Sequence, residues 1–340
     1  MSARERIIPV FVPHLGCPND CVFCNQRRIS GNQTPAIAED VERAVEEGVL
    51  KTGSGDNIQL AFYGGSFTAI PVEEQLSLLG AAKKYLDRGM ISSVRLSTRP
   101  DAIDHEVLSR LRNFGVGTIE IGAQSLCDDV LLLSGRGHTA ADVENASRMI
   151  KDAGFRLILQ MMTGLPGDTP EKSVETAKKI ISLKPDGVRI YPTVIVQDTA
   201  LYDLWKAGLY SEHTVEAAVE LCAVLLPMFE EAGIPVIRLG LNPTDELSSG
   251  AAAAGAYHPA LGELVKSRIM RGSAEKLLEN FAFPEGDRRA EIAVPEKLIS
   301  QMAGQHRCNI EYLKEKYSLS ELKIVRADPA AGQGISIIFH

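Results

Sequence analysis

The sequence predicts an α/β fold: six strand–helix units forming a barrel or partial barrel of the TIM type, then a small C-terminal α/β extension. Two observations carry this expectation. Short β-rich runs alternate with longer segments of helical period, and the Gly-rich and polar oddities of the chain fall where the β-rich runs end. A doubly wound open sheet shows the same alternation and is the architectural alternative.

Taken in order, the expected strands are Arg6–His14, Ile58–Tyr63, Val94–Thr98, Thr118–Gly122, Arg156–Met162 and Gly187–Tyr191. Between them lie amphipathic segments at Ala36–Leu50, Glu73–Arg88, His105–Asn113, Ala140–Ala153 and Glu171–Ser182. Gly115 and Gly154 stand just past two of these helices, as C-caps do. Asp168-Thr169-Pro170 offers a cap residue and then Pro in a first helical turn. A helix over Ser211–Ala232 closes the region, and Val236–Leu241 reads as a strand with one lone arginine, Arg238. From about Gly240 the alternation stops, so residues 1–240 are assigned to the barrel and 241–340 to the extension. Asn242–Gly255 reads as a linker or active-site loop, and the extension ends in strands Leu322–Val325 and Gly334–Phe339.

Composition narrows the class. The 340 residues are 45% hydrophobic and 24% charged, which provides for a large core and excludes disorder as the main state. Thirty-six Lys and Arg against 44 Asp and Glu leave a net charge of −8, so a broad nucleic-acid-binding face is not expected, although a local basic groove is compatible. Met1–Arg6 has no apolar signal region, and no stretch reaches the roughly 18 apolar residues of a membrane span. The expected address is the cytoplasm, without membrane association.

Six cysteines are present, and Cys17, Cys21 and Cys24 crowd into eight residues directly after the first strand. In a reducing compartment such a cluster points to metal or reactivity rather than disulfides. Cys127, Cys222 and Cys308 are isolated and read as buried or inert thiols. A structural zinc needs four ligands, and only His14 offers itself locally as the fourth. An iron–sulfur cubane can take three protein thiolates and leave one iron open to a small molecule, and the ligand count favours it over zinc. The other strand ends carry Gly64-Gly65-Ser66, Ser97-Thr98-Arg99-Pro100-Asp101, Gly122-Ala123-Gln124-Ser125, Gln160–Gly167 and Tyr191-Pro192-Thr193. Such segregation marks the face on which βα-loops build sites. A Gly64-Gly65 turn can bring backbone groups close to a ligand chelated at an open iron.

The C-x3-C-x2-C run, with Phe23 before its last cysteine, closely resembles the signature of the radical S-adenosylmethionine (SAM) enzymes, and Gly64-Gly65-Ser66 resembles that superfamily's motif for the methionine amino group. The likeness covers about residues 6–240. It implies a partial six-stranded barrel, a [4Fe–4S] cluster on Cys17, Cys21 and Cys24, and SAM chelated at the fourth iron. It also implies reductive cleavage of SAM to a 5′-deoxyadenosyl radical that abstracts a substrate hydrogen, fed by a reduced flavodoxin or ferredoxin-type donor. Within the superfamily the chain most resembles the radical SAM part of the Elongator catalytic subunit family, which modifies wobble uridine in tRNA. The matching stretches are Phe62–Phe67, Ser97–Asp101, Ile119–Ser125 and Arg189–Val194. That family spaces its cysteines more widely, and the residues after Gly240 show no acetyl-CoA pyrophosphate loop, so acetyl transfer is not expected of this stretch. The coproporphyrinogen oxidase family shares the cysteine spacing, and it makes a small molecule, or a peptide, the alternative substrate to tRNA. A non-catalytic zinc or cluster module is the third reading, and it leaves the strand-end motifs without a role.

Residue roles follow one at a time. Gln124 offers an amide to the SAM ribose, and Ser97 and Gln160 are ribose or methionine contacts. Arg99 either forks onto the SAM carboxylate or pairs with Asp101. Glu120 shares a face with Gly122, and inside a barrel it must be functional or bonded to a cation such as Arg95 or Arg99. Tyr191 lines the substrate cavity or fills the barrel mouth, and Met161-Met162 is core. Arg238, Tyr257 and His258 are substrate-side candidates, with a rim salt bridge and a structural loop histidine as the alternatives. Lys266, Arg268, Arg271, Lys276, Arg288 and Arg289 make the tail locally basic, a solvated face or a surface for an RNA backbone.

Overall fold

The computed structural model describes residues 5–12, 21–25, 35–52, 57–242, 250–279, 288–327 and 335–339. The expectations for His14, Cys17, Pro243 and Ser248-Ser249 lie outside these residues. Strands β1 (Arg6–Val12), β2 (Ile58–Gly64), β3 (Ser93–Thr98), β4 (Val116–Gln124), β5 (Arg156–Thr163) and β6 (Gly187–Pro192) pair in parallel, each with the next in sequence. The strand order never reverses, which excludes the doubly wound sheet and its switch point. The result is a partial barrel of the TIM type.

One strand corrects the expected six. Val236–Leu239 (β8) joins the sheet beside β6, with Arg189 opposite Arg238. Its residues read locally as a strand, but the pairing spans a long excursion that no local pattern encodes. That excursion begins with β7 (Val194–Val196), which pairs antiparallel with β9 (Ala252–Gly255). Asn242–Gly255 is therefore not loop throughout. Ala251–Ala254 is a run of small residues with little β propensity, so the strand leaves no trace in sequence. The expected helix Ser211–Ala232 begins only at Val215 and ends at Glu231, because His213 bonds Thr163 Oγ1 at 3.2 Å instead of joining it. A separate helix, Ala200–Lys206, precedes it, capped by Thr199 on Tyr202 N at 3.1 Å.

Physical causes of the remaining elements are plain. The first five residues of β2 are buried, as in a parallel strand covered on both faces. Leu60, Phe62, Leu96, Ile119, Ile121, Leu159 and Ile190 make the core, with the Phe62 and Phe67 rings stacked at 4.7 Å. Asp104 caps helix His105–Asn113 through Val107 N at 2.7 Å, Thr139 and Asp142 form a capping box, and Thr169 precedes Pro170 at the start of Pro170–Leu183.

The chain divides into two compact units, Met1–Thr214 with Pro227–Tyr257, and Val215–Leu226 with His258–His340. In the second, β10 (Arg289–Val294) lies between β11 (Glu321–Arg326), parallel to it, and β12 (Ser336–Phe339), antiparallel. The two terminal strands expected from sequence thus pair through a third that the sequence reading missed. Helix Leu261–Glu279 and helix Cys308–Tyr317 close this core around Leu278, Ile292, Met302, Ile310 and Leu313. The basic tail is largely matched internally: Arg268 and Arg271 share Glu220 at 2.6 and 3.2 Å, and Lys266 pairs with Glu263 at 3.1 Å. Among the described residues no helix is long and apolar enough to cross a membrane.

Candidate active site

The first unit holds a cavity of about 580 Å³ at the mouth of the partial barrel. Cys21, Cys24, Phe23, Gly64, Gly65, Ser66, Ser97, Arg99, Glu120, Gln124, Gln160, Tyr191 and Arg238 all line it. Of the substrate-side candidates, Tyr257 packs instead with Val194, Val196 and Ala251. His258 belongs to the second unit, where its Nδ1 accepts from Ala260 N at 3.1 Å.

The cysteine segment is held at several points. Val22 N donates to Ser134 O at 3.1 Å, Val22 O accepts from Leu201 N at 2.7 Å, and Asn25 Nδ2 donates to Asp198 O at 3.2 Å. Phe23 and Met162 pack against the buried cluster of Cys127, Val130 and Leu165. Among the described residues no three potential ligands gather at metal distance, and Cys17 lies outside them. Next to this segment, Gly65 N donates to Val12 O at 2.9 Å, which folds the glycine turn onto the end of β1. Gly64 has φ +102°, and a Cβ there would stand 3.0 Å from Val12 O, so the turn requires a residue without a side chain.

Strand β4 ends in a bulge between Gly122 and Gln124. Gln124 is left-handed at φ +65°, and its amide oxygen accepts from Gln160 Nε2 at 3.3 Å. A Cβ on Gly122 would lie 2.9 Å from Gln124 Nε2, so that glycine makes room for the amide. His138 Nε2 meets Ala123 O at 3.2 Å. Burial, then the Arg136 charge, holds its pKa down to about 4 from an ordinary 6.5. The folded protein therefore resists protonating His138 where the unfolded chain accepts the proton. Stability is expected to be level above about pH 6.5 and to fall as pH drops from there toward about 4. Urea midpoints across that window test this, and His138→Gln should flatten the slope.

Deeper in the barrel Glu120 is shared by several groups. Arg189 Nε and Nη2 donate to its two oxygens at 2.8 and 3.2 Å, Tyr63 Oη donates to Oε1 at 2.9 Å, and Arg95 Nε lies 3.1 Å from Oε1. Arg95 thus supplies one of the cations expected for Glu120, and Arg189 and Tyr63 are partners the sequence reading missed. Burial, then the Glu120 charge, pushes the Tyr63 hydroxyl well above its ordinary range, so it stays a donor. Arg189 Nη1 reaches Tyr191 Oη at 3.4 Å. Arg99 pairs with Asp101 through Nε and Nη2, both at 2.9 Å. Arg238 differs: Nε and Nη2 donate to the carbonyls of Gly240 and Leu241 at 2.9 and 2.8 Å, and no carboxylate pairs with it among the described residues. Arg136, between two glycines and unremarked in sequence, brings Nη1 to 3.3 Å from Cys21 Sγ.

Cys21 and Cys24, a side-chain-free turn and a bulged strand end on one cavity suit a thiolate-bound cluster with a small chelating ligand. Comparison with known proteins agrees. Residues 11–180 match the Radical SAM superfamily, and residues 185–271 match the Radical_SAM C-terminal domain. The chain belongs to the radical SAM superfamily. Members of this superfamily are enzymes that use a [4Fe–4S] cluster and SAM. Among its relatives, human Elongator complex protein 3 is 32% identical over 195 residues, 52% of this chain and 36% of that protein. The tRNA uridine(34) acetyltransferase of Dehalococcoides mccartyi is 25% identical over 285 residues, 72% of this chain and 62% of that one. The solved archaeal Methanocaldococcus infernus Elp3, lacking its N-terminus, superposes with a TM-score of 0.63 at 23% identity, over 79% of this chain and 64% of that one. This radical SAM chain spans about a third of the length of the Elongator relative, and the likeness falls on the radical SAM part, as the sequence motifs suggest.

Proposed function

We propose that this chain is a radical SAM enzyme acting on tRNA, with the cluster on Cys17, Cys21 and Cys24. The observation that carries this reading is that Cys21, Cys24 and the Gly64-Gly65-Ser66 turn face one cavity. When bound there, cluster and SAM supply a 5′-deoxyadenosyl radical for hydrogen abstraction. The backbone at Gly64–Ser66 takes the methionine amino group, while Ser97, Gln124 and Gln160 orient the ribose and methionine chain. Arg99, engaged by Asp101, acts as a buttress for the cavity wall. Glu120, Arg189 and Tyr63 hold the barrel floor rigid and dry, which protects a reactive species from water. A low-potential flavodoxin or ferredoxin-type protein supplies the electron.

The tRNA reading is supported by the relatives named for tRNA uridine modification, and a cationic group facing the cavity adds to it. Arg238, oriented by two carbonyls and paired with no carboxylate among the described residues, meets an anionic group of the substrate, for RNA a phosphate.

Two experiments test these roles. Anaerobically reconstituted protein with dithionite and SAM should release more 5′-deoxyadenosine when a tRNA pool is added, and Arg238→Gln should remove that stimulation while leaving the basal rate. Stimulation by coproporphyrinogen III and not by tRNA would move the substrate to the small-molecule reading. Gly122→Ala is expected to fold, because its new Cβ presses only on side-chain ends, Gln124 Nε2 at 2.9 Å and Arg136 Nη2 at 3.4 Å, while Thr98 O at 3.8 Å is an ordinary contact. Displacing that amide should weaken SAM binding by about tenfold, ~1.4 kcal/mol, in equilibrium dialysis.

A further inference from the structure

We infer that Arg136 tunes the reduction potential of the cluster through Cys21, an inference that rests on the radical SAM reading of the cavity. Its guanidinium is fixed from two sides. Nη1 lies 3.3 Å from Cys21 Sγ and Nη2 donates to Gly122 O at 2.8 Å. The Arg136 carbonyl accepts from Arg99 Nη2 at 2.8 Å, and Arg99 is clamped by Asp101. The backbone directs it inward. Helix Asp128–Leu133 ends through Gly135 at φ +65° and Gly137 at φ +68°, with Arg136 between them donating its N–H to Leu131 O at 3.0 Å. Two left-handed glycines flanking one arginine turn the side chain into the barrel mouth.

The charge acts at short range and nearly out of water. Cys21 is 5% exposed and Arg136 6%. One electron from an external low-potential donor takes a [4Fe–4S] cluster from 2+ to 1+, with no bond formed or broken and no proton moved. The added negative charge is spread onto the ligand sulfurs. A cationic N–H···S hydrogen bond strengthens as that sulfur becomes more negative, so it favours the reduced form and raises the potential. The same fork holds Gly122 O, two residues before Gln124, and thereby ties the ligand sulfur to the strand end on which the ribose contacts are proposed. Arg136 is a positioning and tuning residue, not a ligand.

An anaerobic redox titration of reconstituted full-length protein, followed by the EPR signal of the reduced cluster, tests this. In Arg136→Gln the reduced-to-oxidised ratio at fixed poise should fall about tenfold, ~59 mV for a one-electron couple. Arg136→Lys, which keeps the charge but loses the fork, should fall between it and wild type. Should Arg136→Gln fail to assemble a cluster, the Lys variant decides, together with deuterium modulation of the wild-type EPR signal after exchange into D2O. An exchangeable deuteron coupled to the cluster in wild type, and a lowered midpoint in the Lys variant, support the inference. Unchanged midpoints with a fully loaded cluster overturn it and leave the radical SAM reading intact. Wild type that binds no [4Fe–4S] cluster overturns both.

Discussion

Cys21→Ala and Cys24→Ala are each expected to abolish cluster assembly and bring 5′-deoxyadenosine release to background. The loss should exceed the ~100-fold that removal of an outer-shell partner costs a metal site, because each substitution removes a proposed ligand itself. Iron and acid-labile sulfide content, with HPLC of the nucleoside product, measure it. Cys127→Ala is the contrasting control. Its thiol is 8% exposed, and burial raises its pKa, so it behaves as a small packed hydrophobe and iron content should not change. Equal iron in the wild type and both cluster variants would refute the assignment.

The second large effect concerns stability. Glu120→Gln removes the anion shared by Arg95 and Arg189, whose side chains are 2% and 11% exposed. Arg95 keeps Glu5 at 3.7 Å, so the buried cation left uncompensated is chiefly Arg189, and breaking a buried pair of this kind costs about 3–5 kcal/mol. A urea midpoint shifted downward at unchanged slope would register this. Arg189→Met in the same background should recover part of the loss, since it removes one of the stranded charges. A Glu120→Gln variant as stable as wild type would mean that the floor of the barrel is hydrated and the pairing weak.

Much of the barrel was legible because each strand–helix unit is written locally. Thr169-Pro170, Gly115 and Gly154 announce their helix ends regardless of what packs on them. That Cys21, Cys24 and Gly64 fall together at one cavity was equally legible, since closely spaced cysteines and side-chain-free turns are restricted residue types at restricted spacings. The place of β8 in the sheet was not, because only the completed sheet gives Val236–Leu239 a partner. The alanine strand β9 and the partners of Glu120 escaped for related reasons. An arginine in a strand reads the same whether it faces solvent or a buried carboxylate, and Arg189 became informative only when register set it beside β5 and β8. Arg136 had a sequence cue, glycines on both sides, but its target lies 115 residues earlier.

The order of the sheet bears on how the protein matures. Each strand from β1 to β6 pairs with the one made just before it, so the barrel can grow during synthesis from the N-terminus onward. The cysteine segment follows β1 and leaves the ribosome early, yet Ser134, Asp198 and Leu201, which fasten it, come more than a hundred residues later. Until β4 and the segment after β7 are made, the partners that fasten Val22 and Asn25 do not yet exist. The last of these ties forms when helix Ala200–Lys206 docks on Val22, so the cysteine segment, early in the chain, takes its final place among the later events of folding.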